Sequence, residues 1–168
     1  MSNKLKLVIK RMLAYTLDIV FLFLILAPTA FLVEWIFDIE PQTNSQIWIA
    51  AIMSFSLPAW LYFFLSDLSR GGATIGKRIM KLRVCPIGEK EIITPGMAFI
   101  RTAVKLLPWE IAHVFGFALA DALGSVFQSA GLITANVLIV IYLVILIKNR
   151  GEKSLHDIVS KTKVTFSN

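Results

Sequence analysis

Arg11 and Asp18 lie seven residues apart at the start of an apolar run that continues to Phe37 almost without charge. Seven residues return to nearly the same face of a helix, about 10 Å further along its axis, too far for a direct pair. A carboxylate inside a membrane costs roughly 2.5–3.5 kcal/mol on insertion scales. Asp18 therefore needs a partner from another segment, a water-filled cavity or a proton. Two chemistries fit. A carboxylate answered by a basic neighbour can alternate between ion, salt bridge and proton as access changes. The other reading is a buried polar contact that glues helices together. Lys105 or Arg101 is the counter-charge expected for Asp18.

Arg101 and Lys105 open a second charged stripe, which runs on to Glu110 and His113. On a helical wheel Arg101, Lys105 and His113 cover roughly a third of the circumference. Glu110 is three residues before His113, so these two are neighbours on the helix surface. Such a stripe must face the bundle interior, headgroups or water. Snorkelling to the inner surface is the plain account of Arg101 and Lys105. In the tail, Ser154-Leu155-His156-Asp157 has the form of a capping box, which accounts for Asp157 and His156 as helix-start residues.

These groups make no enzyme. His113 with Glu110, and His156 with Asp157, are capable of acid–base work, but no nucleophile accompanies either pair. No cofactor loop or metal-ligand spacing occurs, and the segment from Gly71 to Lys77 lacks the phosphate-loop spacing. Cys85 is the single cysteine, so no intramolecular disulfide forms and a reduced thiol is expected.

The elements that must hold these residues are membrane helices. Of 168 residues 57% are hydrophobic, and mean hydropathy is +0.73, beyond what a soluble domain carries. The pattern predicts an all-α membrane protein in one unit, residues 1–168, with spans over about 12–37, 47–65, 97–119 and 131–147. The first apolar run is too long for a cleavable signal. Residues 1–11 form a basic arm suited to the membrane surface. Pro28, Pro58 and Pro108 fall inside spans, where proline kinks or breaks a helix. A helical connection over residues 120–130 is compatible with the sequence.

Net charge is +6, and every Lys and Arg falls within residues 4–11, 70–105 or 148–163. The segments around Asp38, Glu40 and Asp121 contain none. The positive-inside rule puts both termini and the central loop in the cytoplasm. That topology accounts for the basic residues, so no nucleic-acid partner is expected. In the central loop Thr74 can cap a short helix. Residues 79–84 and 163–166 alternate as strands do, and residues 91–94 read as the return strand of a hairpin.

Residues 70–84 align without gaps on residues 150–164, with Arg, Gly, Lys and Val coinciding and Thr/Ser, Ile/Leu, Ile/Val and Arg/Lys substituting. Each stretch follows a span, and each pair of spans opens with an arginine, Arg11 or Arg101. This predicts two parallel two-helix repeats about an axis along the membrane normal. Strands containing Leu82, Ile92 and Val164 would form one small cytoplasmic β element.

Several of these pieces together resemble the RDD family of small bacterial membrane proteins, named for one arginine and two aspartates. They are Arg11-x-x-Ala14-x-x-x-Asp18, Thr74-Ile75-Gly76-Lys77-Arg78 with Leu82-Arg83-Val84, Arg101, and Leu155-His156-Asp157 with Thr162-x-Val164. They cover nearly the whole chain in the right order. The resemblance carries the family's arginine and first aspartate to Arg11 and Asp18, and its second aspartate to Asp157. Gly88-Glu89 fills, in altered form, the acidic-glycine place between the hairpin strands. The resemblance implies a multi-span inner-membrane protein, often described as a transporter. The expected activity is exchange of a small cation for protons through Asp18 and its basic partners. Four spans are few for a transport path, so a homo-oligomer in the lipid bilayer is expected. The alternative is a structural or assembly protein with a cytoplasmic docking face.

Overall fold

The computed structural model describes residues 3–88 and 92–167. Its first element is one unbroken helix, α1 (Asn3–Phe37), which continues through Pro28. The basic arm is thus the first turns of α1 rather than a separate surface segment. After a short connection, Thr43 starts α2 (Asn44–Ala51) with a reciprocal box: its hydroxyl accepts from the Gln46 N–H at 3.3 Å, and the Gln46 side chain accepts from the Thr43 N–H at 3.2 Å. A π-helical turn, Ile52–Ser56, joins α2 to α3 (Leu57–Leu68). Pro58 accounts for it, since proline cannot donate to the preceding turn and the winding loosens around it.

Thr74 caps α4 (Ile75–Ile79), which leads into β1 (Leu82–Pro86). Thr94 caps α5 (Pro95–His113), which carries Pro108 without a break and ends in a second π turn, Val114–Ala118. A long helix, α6 (Ala120–Lys148), follows, interrupted at Gly124, whose φ of 76° and ψ of 177° are not helical. The connection over residues 120–130 is therefore helical, as its sequence allows. The chain closes with α7 (Leu155–Val159) and β2 (Thr162–Phe166).

The protein is mostly helical, and three stretches are long and apolar enough to cross a membrane: Leu5–Phe37, Asn44–Leu68 and Gly124–Lys148. Phe23, Leu24, Phe31 and Trp35 are 62–73% exposed on the outside of α1, a surface that suits acyl chains and not water. The α5 stripe keeps that helix from the same apolar class.

β1 and β2 pair antiparallel, with Val84 opposite Val164, Leu82 opposite Phe166 and Pro86 opposite Thr162. No third strand joins them among the described residues. The expected return strand is not formed over residues 92–94, because Thr94 is used as the α5 cap and Ile93 packs on the ribbon; Glu91 lies outside the described residues. A small core of Leu7, Ala14, Leu82, Val84 and Val164 seats the ribbon on the first turns of α1.

Residues 70–84 and 150–164 follow the same course. Each has a hydroxyl residue before a one-turn helix, then a lysine in the left-handed region, Lys81 (φ 57°) or Lys161 (φ 53°), then a strand. The Val84 N–H donates to Gly72 O at 2.8 Å, and the Val164 N–H donates to Glu152 O at 2.9 Å.

Candidate functional site: a buried charge cluster

Asp18 is 1% exposed and projects from α1 toward the start of α4. Its carboxylate accepts three hydrogen bonds: Tyr62 OH on Oδ1 at 2.6 Å, the Gly76 N–H on Oδ1 at 2.8 Å, and the Thr74 hydroxyl on Oδ2 at 2.6 Å. The local cause is legible. α4 leaves its first N–H groups free, and a carboxylate at that end answers one of them. Gly76 allows the approach, since a Cβ there would collide with the Ala14 carbonyl and the Asp18 carboxylate. Neither Arg101 nor Lys105 bonds directly to Asp18, although Lys105 lies near enough to feel its charge. Neutral donors of α3, α4 and the Thr74 cap fill its oxygens instead.

The basic groups are gathered on two other carboxylates. Arg11 Nη2 meets Asp157 Oδ2 at 2.6 Å, and its other terminal nitrogen donates to the Gly151 and Glu152 carbonyls at 2.9 and 3.0 Å. Arg101 is wholly buried between Asp157 and Asp67. It donates to Asp157 Oδ1 and to the Thr162 hydroxyl (2.7 Å), and its Nε lies 2.8 Å from Asp67 Oδ2. Lys77 Nζ donates to Asp67 Oδ1 at 3.0 Å. Lys105 Nζ stands 3.9 Å from Asp67 Oδ2 and 4.2 Å over the Phe63 ring, and makes no hydrogen bond. Arg101 and Lys105 are therefore buried, 0% and 8% exposed, and do not snorkel.

The order Arg11, Asp157, Arg101, Asp67, Lys77 alternates in sign and ties α1, α7, α5, α3 and α4 together at the ribbon end. Burying such groups is favourable only when the remaining lone pairs and protons are also bonded. The Ser154 N–H on Asp157 Oδ2 (2.7 Å) and Thr162 supply part of that. Burial alone would raise the Asp157 carboxyl, but the charges of Arg101 and Arg11 and the Arg101 hydrogen bond outweigh it and hold it well below the usual carboxylate range. Burial pushes the adjacent His156 well below the ordinary imidazole value; Asp157 opposes this, while Arg101, Lys105 and Arg11 add to it. Burial also lowers Lys77, against the attraction of Asp67.

Glu110 and His113 sit apart from this cluster and have separate partners. Trp60 Nε1 donates to Glu110 Oε1 at 3.0 Å, and His113 Nδ1 lies 3.3 Å from the Ser56 hydroxyl, with its ring edge-on to Trp109. Both contacts join α5 to the helix containing the first π turn. Beside the charge cluster lies a cavity of about 400 Å³ between α1, α5 and α6. No group of three or more His, Cys, Asp or Glu suited to a metal occurs among the described residues. Cys85 is a free thiol beside Thr165 on the ribbon.

The sequence reading missed Asp67, the junction of three basic groups, and Lys77. It also missed Tyr62, Thr74 and Thr162 as donors to the two sites. A signal existed for Asp67: it is an acidic residue closing an apolar span, with a lysine ten residues on, past the connection to α4. The RDD family model matches residues 6–161, which take in every member of both sites except Thr162. A search of curated proteins finds no match. A search of solved structures also finds none. With this match over nearly its full length and three helices able to cross a bilayer, the chain is a multi-pass membrane protein and belongs to the RDD family.

Proposed function

We propose that this chain is a small transporter of the bacterial inner membrane, with both termini and the ribbon in the cytoplasm. The concentration of Lys and Arg at the ribbon end supports that orientation. The helix α5 and its π turn, residues 95–118, favour a fourth span: at 1.5 Å per residue they reach about 36 Å, enough for a hydrocarbon core of about 30 Å. Two parallel two-helix repeats are favoured by the matching course of residues 70–84 and 150–164. The register adds to this, because Val84 opposes Val164 and exchanging the two stretches maps the ribbon onto itself.

One observation carries the reading. The halves are braced crosswise by ion pairs, Arg11 of the first on Asp157 of the second and Arg101 of the second on Asp67 of the first. Such contacts can break and reform as one half rocks on the other. For exchange of a small cation against protons, Asp67 is a better coupling group than Asp18. The three donors of Asp18 all belong to its own half, whereas Asp67 is shared by Lys77 of the first half at 3.0 Å and by Arg101 and Lys105 of the second at 2.8 and 3.9 Å, so its pairings can exchange as the halves move. Proteoliposomes carrying a pH-sensitive dye test this. Cation-driven proton flux should vanish in Asp67→Asn and persist in folded Asp18→Asn. Undiminished flux in Asp67→Asn rejects the assignment. A homo-oligomer is part of the reading and is measured by mass in detergent.

The closed hydrogen-bond set of Asp18 favours a second reading, a structural or assembly protein. In that case Asp67→Asn lowers protein abundance and partner recovery, and no flux accompanies the wild type.

A further inference from the structure

The 400 Å³ cavity has two unlike ends. Its walls are apolar over most of their area, with Phe63, Trp109, Leu143 and Leu146 among them. Its lip is built from exposed Met12 and Tyr15 of α1 and exposed Asn136 and Ile139 of α6. Those two helices scarcely touch, so the opening is lateral and faces the acyl-chain region of a bilayer. At the inner end stands the Lys105 ammonium, with no hydrogen-bond partner although the residue is only 8% exposed. A second buried donor without a partner, Arg101 Nη2, belongs to a residue that lines the same cavity.

Charge points the same way. Arg11, Lys77, Arg101 and Lys105 face Asp67 and Asp157, and counting Asp18 as a third carboxylate still leaves cations in excess. Burial holds the nearby His156 neutral, so it adds no charge. Lys105 has the Asp67 carboxylate only at 3.9 Å and the Phe63 ring at 4.2 Å; a buried cation without a hydrogen-bond acceptor is costly, and an acceptor brought by a ligand relieves that cost. Apolar walls with a few convergent polar groups, at a volume within the usual range for ligand sites, describe a place for a molecule that is apolar along its length and anionic at one end.

We infer that this cavity binds an anionic amphiphile, an acyl chain bearing a carboxylate or phosphate, with the acidic group on Lys105 and the chain leaving between α1 and α6. The inference goes beyond the cation-exchange reading: it adds a ligand site beside the ion pairs and does not depend on flux. Binding is measured without flux, so the two fail separately.

The experiment uses the delipidated full chain in zwitterionic nanodiscs, with dibromostearate as the probe. Bromine quenches tryptophan on contact, so Trp109 in the cavity wall is read alone in a background with Trp35, Trp48 and Trp60 replaced by Phe. Saturable quenching is expected, relieved by stearate or by a monoacyl phosphate. Stearyl alcohol, which has the tail alone, and inorganic phosphate, which has the head alone, should not relieve it. Lys105→Met should weaken binding by about tenfold, as loss of one charged hydrogen bond would. Lys105→Arg should retain it. Should Lys105→Met unfold, Ile139→Phe at the exposed lip gives an independent reading, since it narrows the opening without touching the charge cluster or adding a tryptophan. Lys148→Gln, outside the cavity, serves as the control and should bind as wild type. Relief by stearyl alcohol as effective as by stearate overturns the inference, as does full binding in folded Lys105→Met or, where that variant unfolds, in Ile139→Phe. Effective competition by inorganic phosphate overturns the amphiphile and leaves an anion site. Quenching without any flux retains the binding site and removes the transporter.

Discussion

Replacing Asp18 separates a fastening role from a coupling role. In the fastening role the carboxylate holds α4 and α3 to α1 through the Gly76 N–H, the Thr74 hydroxyl and Tyr62 OH. Asp18→Ala strands all three donors. Tyr62 is partly exposed and can turn to water, but Thr74 is 0% exposed and the Gly76 bond is buried. Each buried donor left unsatisfied costs about 1–3 kcal/mol. Two of them give roughly 2–6 kcal/mol, which raises the unfolded fraction by about one and a half to four orders of magnitude. Asp18→Asn is milder. Its amide oxygen keeps Tyr62 and Gly76, and the Thr74 hydroxyl can rotate to accept from the amide nitrogen. What is lost is the charge on the acceptor, about 1 kcal/mol per bond, or about 2–3 kcal/mol altogether. Tyr62→Phe removes one donor with its acceptor still engaged and should cost about 1 kcal/mol. Reversible unfolding in mixed micelles, followed by helical circular dichroism, gives the series. The order Ala, then Asn, then Phe is the expected one. If Asp18→Ala stays within about 1 kcal/mol of wild type, the donors have other acceptors and the fastening role is wrong.

Two further outcomes follow from the ribbon end. His156 is held neutral in the fold, while the unfolded chain protonates near its ordinary value of 6.5, so below that pH the unfolded state binds more protons and stability falls. Thermal unfolding from pH 8 to pH 5 should show that decline beginning near 6.5 and clearly reduced in His156→Gln, whereas the contribution of Asp157 disappears only below its unfolded value of about 3.8. An unchanged slope in His156→Gln contradicts the burial argument. In a Cys85→Ser background, Val84→Cys with Val164→Cys should crosslink on mild oxidation. These two face each other as a non-hydrogen-bonded pair, each N–H being turned to its own loop. Leu82→Cys with Val164→Cys should not. A crosslink only in the latter pair refutes the register.

How much of this was legible beforehand depends on the range of the forces involved. Hydropathy announces the apolar helices, because length and composition along one stretch suffice for a span. Thr74, Ser154 and Pro95 announce helix starts, because a cap is read within three residues. The strand alternation over 79–84 and 163–166 is equally local, but the first strand begins only at Leu82, because α4 takes Ile79 and Lys81 turns left-handed. Boundaries shifted where a neighbour intervened: Thr94 became a cap and ended any strand, and α1 absorbed the basic arm because Leu7 found the ribbon to pack against.

The sequence by itself determined that Asp18, Arg101 and Lys105, set within predicted spans, had to find polar surroundings, since lipid supplies none. Tertiary structure alone decided which surroundings. The Arg11–Asp157 bond spans 146 positions and Arg101–Asp157 spans 56, so no local pattern encodes either. The contest for Arg101 was settled by where α3 ends, which brought Asp67 within 2.8 Å and left Asp18 to neutral donors. Spans, caps and strand faces follow from forces acting within one or two turns. The choice of partner for a charge follows from the distances that remain once every helix has been packed.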